Sequence, residues 1–237
     1  MIRVWCALWL ALAAPLAQGQ AVQAVTEDTA YTYIAGGRVA GPATAVVRAA
    51  LDRAGLADAR FDLYPWARAY EMAMTRPNVL IYLIARTPER EPHFKWVGEL
   101  MKIEYHLYKL ASRKDIAITS IEQARDLTVG VMRRDVRQQY LARKGFAYLE
   151  VSAGNEENFR KLLAGRVDLV PLPQADVVQL CEKLRVDCST VERVLTLDEL
   201  TVGLYMAFGH LTDDQVVARL RAGYEALRAE GGRVGLQ

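Results

Sequence analysis

Five apolar residues in a row, Val79-Leu80-Ile81-Tyr82-Leu83, separate the turn signal Arg76-Pro77-Asn78 from the stretch Ile84-Ala85-Arg86-Thr87-Pro88-Glu89-Arg90. A short run without polar alternation reads as a strand buried on both faces, the pattern of a parallel sheet covered by helices. Thr87 suits a helix N-cap, Pro88 the first helical position, and Glu89 the positive end of a helix dipole. The chain is therefore expected to leave a sheet, turn sharply and start a helix. Arg86 and Arg90 then stand at the carboxyl edge of the strand, where open α/β sheets bind ligands. Arginine there offers a planar fork to a carboxylate. The competing reading is a surface arginine paired with Glu89 or Glu91.

The residues before this stretch repeat the same unit. Strands are expected at 23–27 and 61–64, with helices at 42–54 and from Pro65 onward. Val46, Val47, Ala50, Leu51 and Ala54 form the apolar stripe of the first helix, and Gly55 suits its C-cap. Strand, helix, strand, helix, strand implies right-handed crossovers and a parallel sheet. The loop at 28–33 carries Tyr31 and Tyr33 at the carboxyl end of the first strand. Gly36-Gly37 marks a turn.

A second series follows. Residues 103–110 read as one strand crossing between two units, and Ser120 with Gln123 as a capping box for a short helix. Residues 128–132 form a strand, Arg133-Arg134-Asp135 a turn, and a helix then runs to Arg143 and closes at Gly145. The free N–H groups at the start of that helix make an anion site. Further strands are expected at 148–151, 166–170, 191–196 and 200–208, the last returning to the first unit. Asn155 is expected to cap a helix over 156–164. Thr212 with Gln215 reads as a capping box for a final helix with the stripe Val216, Leu220, Tyr224 and Leu227, ended by Gly231-Gly232.

The N-terminus differs from the rest. Arg3 is the only charge before Glu27, residues 4–14 are apolar, and small residues cluster around Gly19-Gln20-Ala21. This reads as a secretory signal peptide over 1–21, with the mature protein soluble in an exported compartment. Cys181 and Cys188 are then candidates for a disulfide across a helix end, the alternative being two small, partly buried residues. His93, His106 and His210 are scattered, without zinc-like spacing. The 30 Lys and Arg balance 28 Asp and Glu with no basic patch, so nucleic acid is not an expected partner.

Thr87-Pro88-Glu89-Arg90 followed by Phe94-Lys95-Trp96 resembles the signature of periplasmic solute-binding proteins of the polar amino-acid type (family 3). Val129-Gly130-Val131 and Asp168 match further family segments. The resemblance implies an α/β, periplasmic binding protein-like (type II) fold, with two lobes joined by two crossing hinge strands. Lobe 1 would be 22–104 with 203–237, and lobe 2 would be 105–202. It implies capture of a small carboxylate or amino acid between the lobes, without a cofactor, for an inner-membrane ABC transporter permease or a sensor. Arg90 matches the residue that grips the ligand's α-carboxylate, with Tyr31 and Trp66 as walls.

Several positions depart from the family pattern. Ala85 stands where a serine or threonine is frequent. Pro42 to Ala45 lack the usual helix-start carboxylate. Arg134, Asp135 and Val136 replace a Gly-Thr-Thr loop, so Asp135 is expected to cap the helix and Arg134 to supply attraction from its side chain. Pro173 occupies the position of the acidic residue that pairs with an α-ammonium. An unpaired ammonium in a closed cleft costs several kcal/mol. Asp176, Glu104 or another carboxylate must then replace it, or the ligand is not an α-amino acid. Two alternatives stay open: a periplasmic enzyme of the cyclohexadienyl dehydratase type using Glu104 or His106, and a degenerate binder serving as a signalling partner.

Overall fold

The computed structural model describes residues 21–231. Apart from Ala21, the expected leader lies outside them, as does Gly232. In chain order the elements are β1 (Gln23–Thr26), β2 (Tyr33–Ala35), β3 (Arg38–Ala40), α1 (Pro42–Arg53), β4 (Arg60–Leu63), α2 (Trp66–Thr75), β5 (Val79–Ala85), β6 (Phe94–Ile103) and β7 (His106–Leu110). They continue with β8 (Val129–Met132), α3 (Val136–Arg143), β9 (Leu149–Ser152), α4 (Asn155–Leu163), β10 (Val170–Leu172), α5 (Gln174–Leu184), β11 (Val191–Thr196), β12 (Val202–Gly209) and α6 (Asp214–Gly231).

The first sheet has the order β4-β1-β5-β12-β6, with β1 parallel to β4 and β5, and β12 antiparallel to β5 and β6. The second set repeats this arrangement. β8 pairs in parallel with β9 and bridges in parallel to Leu169, just ahead of β10; β7 lies antiparallel between β10 and β11. Each set is thus a parallel trio extended by two antiparallel strands.

The apolar run forms β5, buried at every position. Val79 and Ile81 face α2, while Leu80 and Tyr82 face the α1 and α6 side. The alternation slips at Leu83, which has φ 59° and shares the face of Tyr82. The register against β12 shifts at the same place, between Tyr205 and Met206. Leu83 is therefore a bulge, and it re-aims the strand end that carries Ala85 and Arg86.

Several expectations need correction. No α-helix starts at Thr87. A 3-10 turn, Glu91–His93, leads into the ten-residue β6. Pro92 would fall in the second turn of such a helix, where it removes a backbone hydrogen bond and clashes with the preceding turn. The segment at 103–110 is not one strand: β6 ends at Ile103, Glu104-Tyr105 intervene, and β7 begins in the other sheet. The return passes through the 3-10 turn Asp198–Leu200 before β12. Gly36 and Gly37, at φ 57° and 74°, close a hairpin of β2 and β3 that was read only as a turn. The expected strand at 166–170 is displaced to β10.

Three caps also differ. Gln123 reaches back to the Thr119 N–H (2.7 Å), and only the 3-10 turn Glu122–Ala124 forms there. The Gln215 N–H donates to Asp213 (2.7 Å), whereas the Thr212 hydroxyl accepts from the Asn78 N–H (2.9 Å). Gly154 precedes α4, which frees Asn155 for a buried role. In α6, Val217, Leu220 and Tyr224 are buried, and Val216 and Leu227 are partly so.

Cys181, near the end of α5, is disulfide-bonded to Cys188, seven residues on. Closing so short a loop is worth about 2 kcal/mol by chain entropy. Reduction is expected to lower the melting temperature by several degrees, read by thermal melts with and without a phosphine reductant. Among the described residues no helix is long and apolar enough to cross a membrane.

Candidate functional site

The carboxyl ends of β1, β4, β8 and β9 bring their loops together between the two sheets. Two cavities lie there. The outer one is a groove of about 480 Å³ lined by the loop after β1, the β4–α2 turn, the start of α4 and one face of α5. The inner one has room for about 30 Å³ and is lined by Tyr31, Leu83, Tyr105 and Arg137 among others. Glu27, Thr29, Asn155 and Asp176 line both.

Arg90 does not offer its guanidinium to either cavity. It is 2% exposed, with Nη1 donating to the Ala85 carbonyl (3.1 Å) and Nη2 to the Arg134 carbonyl (3.2 Å). The rings of Trp66 and Tyr70 flank it, each 5.3 Å from the guanidinium carbon. Trp66 is buried too, and its indole N–H donates to the same Arg134 carbonyl (3.1 Å). Arg134 has φ 61°, a left-handed conformation costly for a residue with a Cβ. Its N–H donates to Gln138 (2.7 Å), its side chain is exposed, and its contribution is the carbonyl. Arg90, Trp66 and Arg134 thus form a clasp between the loops of the two sheets.

The other sequence candidates fall around this clasp. Arg86 is exposed, paired with Glu91 at 2.6 Å, as the competing reading held, and it packs over Trp96 and Tyr205. Ala85 is buried and acts through its carbonyl. Asp135 is the N-cap of α3, and Val136 is buried in its first turn. Tyr31 and Pro173 line the inner cavity. Glu104 is exposed, and buried His106 bonds Thr196 (3.0 Å); neither lines either of these two cavities.

The charge of the site is carried by Asp176, which the sequence offered as a replacement carboxylate, and by Glu27, which it did not single out. Asp176, in the first turn of α5, accepts from the Ala30 N–H (2.9 Å) and from Asn155 (3.3 Å). Burial raises it to about 6, against the opposing pull of the Ala30 N–H and Arg137. Glu27, just beyond β1, is half-buried and lines both cavities. No hydrogen bond or ion pair from a described residue reaches its carboxyl. Burial, then the charges of Asp135, Asp176 and Asp28, push it up to about 8, although Arg137 opposes.

Five carboxylates, Glu27, Asp28, Glu156, Glu157 and Asp176, line the groove with two cations, Arg160 and Lys183. Both cations are already paired: Arg160 with Glu156 at 2.8 Å, and Lys183 with Asp28 at 2.7 Å and Glu156 at 2.9 Å. A positive group at Glu27 would gain on the order of 4 kcal/mol at an effective dielectric of 20 and 4 Å separation. Neither cation is left free to meet an anion. Glu27 was legible only as the last residue of the opening strand, and nothing in its neighbours marked it.

Neither a family model nor a curated protein sequence matches the chain. Solved structures do. A histidine kinase sensor domain with similarity to periplasmic binding proteins superposes with TM-score 0.80 at 17% identity, covering 90% of this chain and 92% of that one. An ancestral arginine-binding protein bound to arginine gives 0.76 at 15% identity, covering 89% and 93%. A structure from work on glutathione import through GshT of Streptococcus mutans gives 0.73 at 12% identity, covering 90% of each chain. Together with the repeated strand order, these likenesses show that the chain has the α/β fold of the periplasmic binding proteins.

Proposed function

We propose that this protein captures a small solute with a cationic amine or guanidinium end in the groove between two lobes. Lobe 1 comprises 22–104 with 203–237, and lobe 2 comprises 105–202. The two passages of the chain between the sheets, at Glu104-Tyr105 and Asp198–Leu200, serve as the hinge. The closed, solute-filled form is what a membrane partner recognises, an ABC transporter permease or a sensor, in the compartment beyond the inner membrane. The observation that carries the reading is the unpartnered Glu27 carboxyl at the junction of the two cavities. Arginine, bound by an ancestral protein of the same fold, is the first candidate. A groove of about 480 Å³ is large enough to hold it.

A carboxylate gripped by Arg90 is the weaker reading, because that guanidinium is engaged by two carbonyls and sealed under two rings. A thermal-shift screen of the mature protein at pH 8.5 decides between them. A ligand at a hundred times its dissociation constant adds roughly 2.7 kcal/mol. Arginine, lysine or putrescine is expected to raise the melting temperature, while succinate leaves it unchanged. Stabilisation by succinate with none by the cations would sink the cationic reading.

A further inference from the structure

The inner cavity is narrow because a side chain of the protein occupies its place. We propose that Arg137 is a built-in guanidinium ligand that fills the inner half of the cleft, confines incoming solutes to the outer groove and draws the lobes together through Asn155 and Asp176, which reach the opposite loop at Ala30. Arg137 is 4% exposed and lines the inner cavity from the second-sheet side, opposite Glu27 and Tyr31. Its Nε donates to Asp135, and its Nη1 to the Asn155 side-chain oxygen (3.1 Å) and the Pro171 carbonyl (3.0 Å). The ring of Tyr105, in the first passage between the sheets, lies 5.0 Å from its guanidinium carbon. A carboxylate, an amide oxygen, a carbonyl and an aromatic face are the acceptor set a protein builds for a free guanidinium.

Helix capping does not require this arrangement. Asp135 already caps α3 through the Arg137 backbone N–H (2.9 Å), on the same oxygen that the guanidinium reaches, so the cap itself does not need the side chain. Burying a charge costs several kcal/mol unless its surroundings compensate. The compensation here comes from Asp135, Asn155 and the Pro171 carbonyl on one side of the guanidinium and from the Tyr105 ring in the passage between the sheets. Neighbouring Asp176 is held by Asn155 and by Ala30 of the opposite loop, which ties the same pocket shut.

The inference does not depend on what enters the outer groove. Three variants test it by small-angle scattering of the solute-free protein: Arg137→Met keeps the bulk, Arg137→Lys keeps the charge, and Arg137→Ala empties the space. Arg137→Met and Arg137→Ala are expected to show a larger radius of gyration than the wild type, and Arg137→Lys to stay compact. Millimolar n-propylguanidinium, the missing piece of the side chain, is expected to stabilise Arg137→Ala saturably, return it to the compact form and leave the wild type unmoved. If Arg137→Ala does not fold, the contrast between Met and Lys decides alone. Equal compactness of Met, Lys and wild type, or no saturable response in a folded Arg137→Ala, would reduce Arg137 to an ordinary structural ion pair. A wild type that binds no cation counts against the groove reading and leaves this result intact.

Discussion

Replacing Arg90 by alanine is expected to cost the fold about 3 kcal/mol whether or not any solute is present. The guanidinium donates to two carbonyls, and hydrogen bonds from a charged group are worth roughly 1.5–3 kcal/mol each. The Arg134 carbonyl would keep its bond from Trp66, but the space between Trp66 and Tyr70 would be left unfilled. For a chain of this size the loss corresponds to a fall in melting temperature of roughly 6–12 °C. Arg90→Lys keeps the charge but cannot span both carbonyls from one planar fork, so it should fall between the two. Urea unfolding of the solute-free proteins reads the effect. A variant as stable as the wild type that has lost affinity for a carboxylate would restore the ligand-fork role and remove the clasp.

That contrast shows which parts of the molecule could be read from its residues. The fully apolar run at β5 and the alternation of strands with helical stripes are signals of burial, and burial is what organises the sheet. So β1, α1, β4, α2 and β5 stand within a residue or two of expectation, as do β8 and α3. The helix expected at Thr87 failed because its N-terminal signals are local, whereas Pro92 and the pairing of β6 with β12 act over a longer range. Arg90 follows the end of β5 by five residues and turns its guanidinium back to the Ala85 carbonyl. Whether a side chain there turns to a ligand or to a carbonyl on a distant loop depends on residue 134, which no local pattern relates to residue 90. Glu27 and Arg137 were missed for the same reason. Each looks like an unremarkable charge beside a strand or helix terminus, and only the meeting of the two sheets sets them opposite one another.

Glu27→Gln provides the sharpest test of the site, because it changes one charge and almost no volume. In the solute-free protein the Glu27 carboxyl is raised to about 8, from 4.5. The folded state therefore holds this proton more tightly than the unfolded chain does. Between pH 4.5 and 8 the unfolded chain has released the proton and the folded one has not, so stability from this group falls as pH rises. Asp176, raised from 3.8 to about 6, acts with the same sign in a lower window. A cation entering the groove needs the ionised carboxylate, so its binding must expel the proton. Affinity is expected to rise as pH climbs from 6.5 towards 9 and to level off once Glu27 is ionised without help. Glutamine has no proton to lose, so the variant should bind about 30-fold more weakly at pH 9, or roughly 2 kcal/mol, the low end for removing one partner of an enclosed charge pair. Its residual affinity should also be flat across the same range. Calorimetric titration at three pH values measures both. A wild-type affinity that weakens as pH rises, or a glutamine variant that binds as well as the wild type, would show that the solute's charge does not meet Glu27.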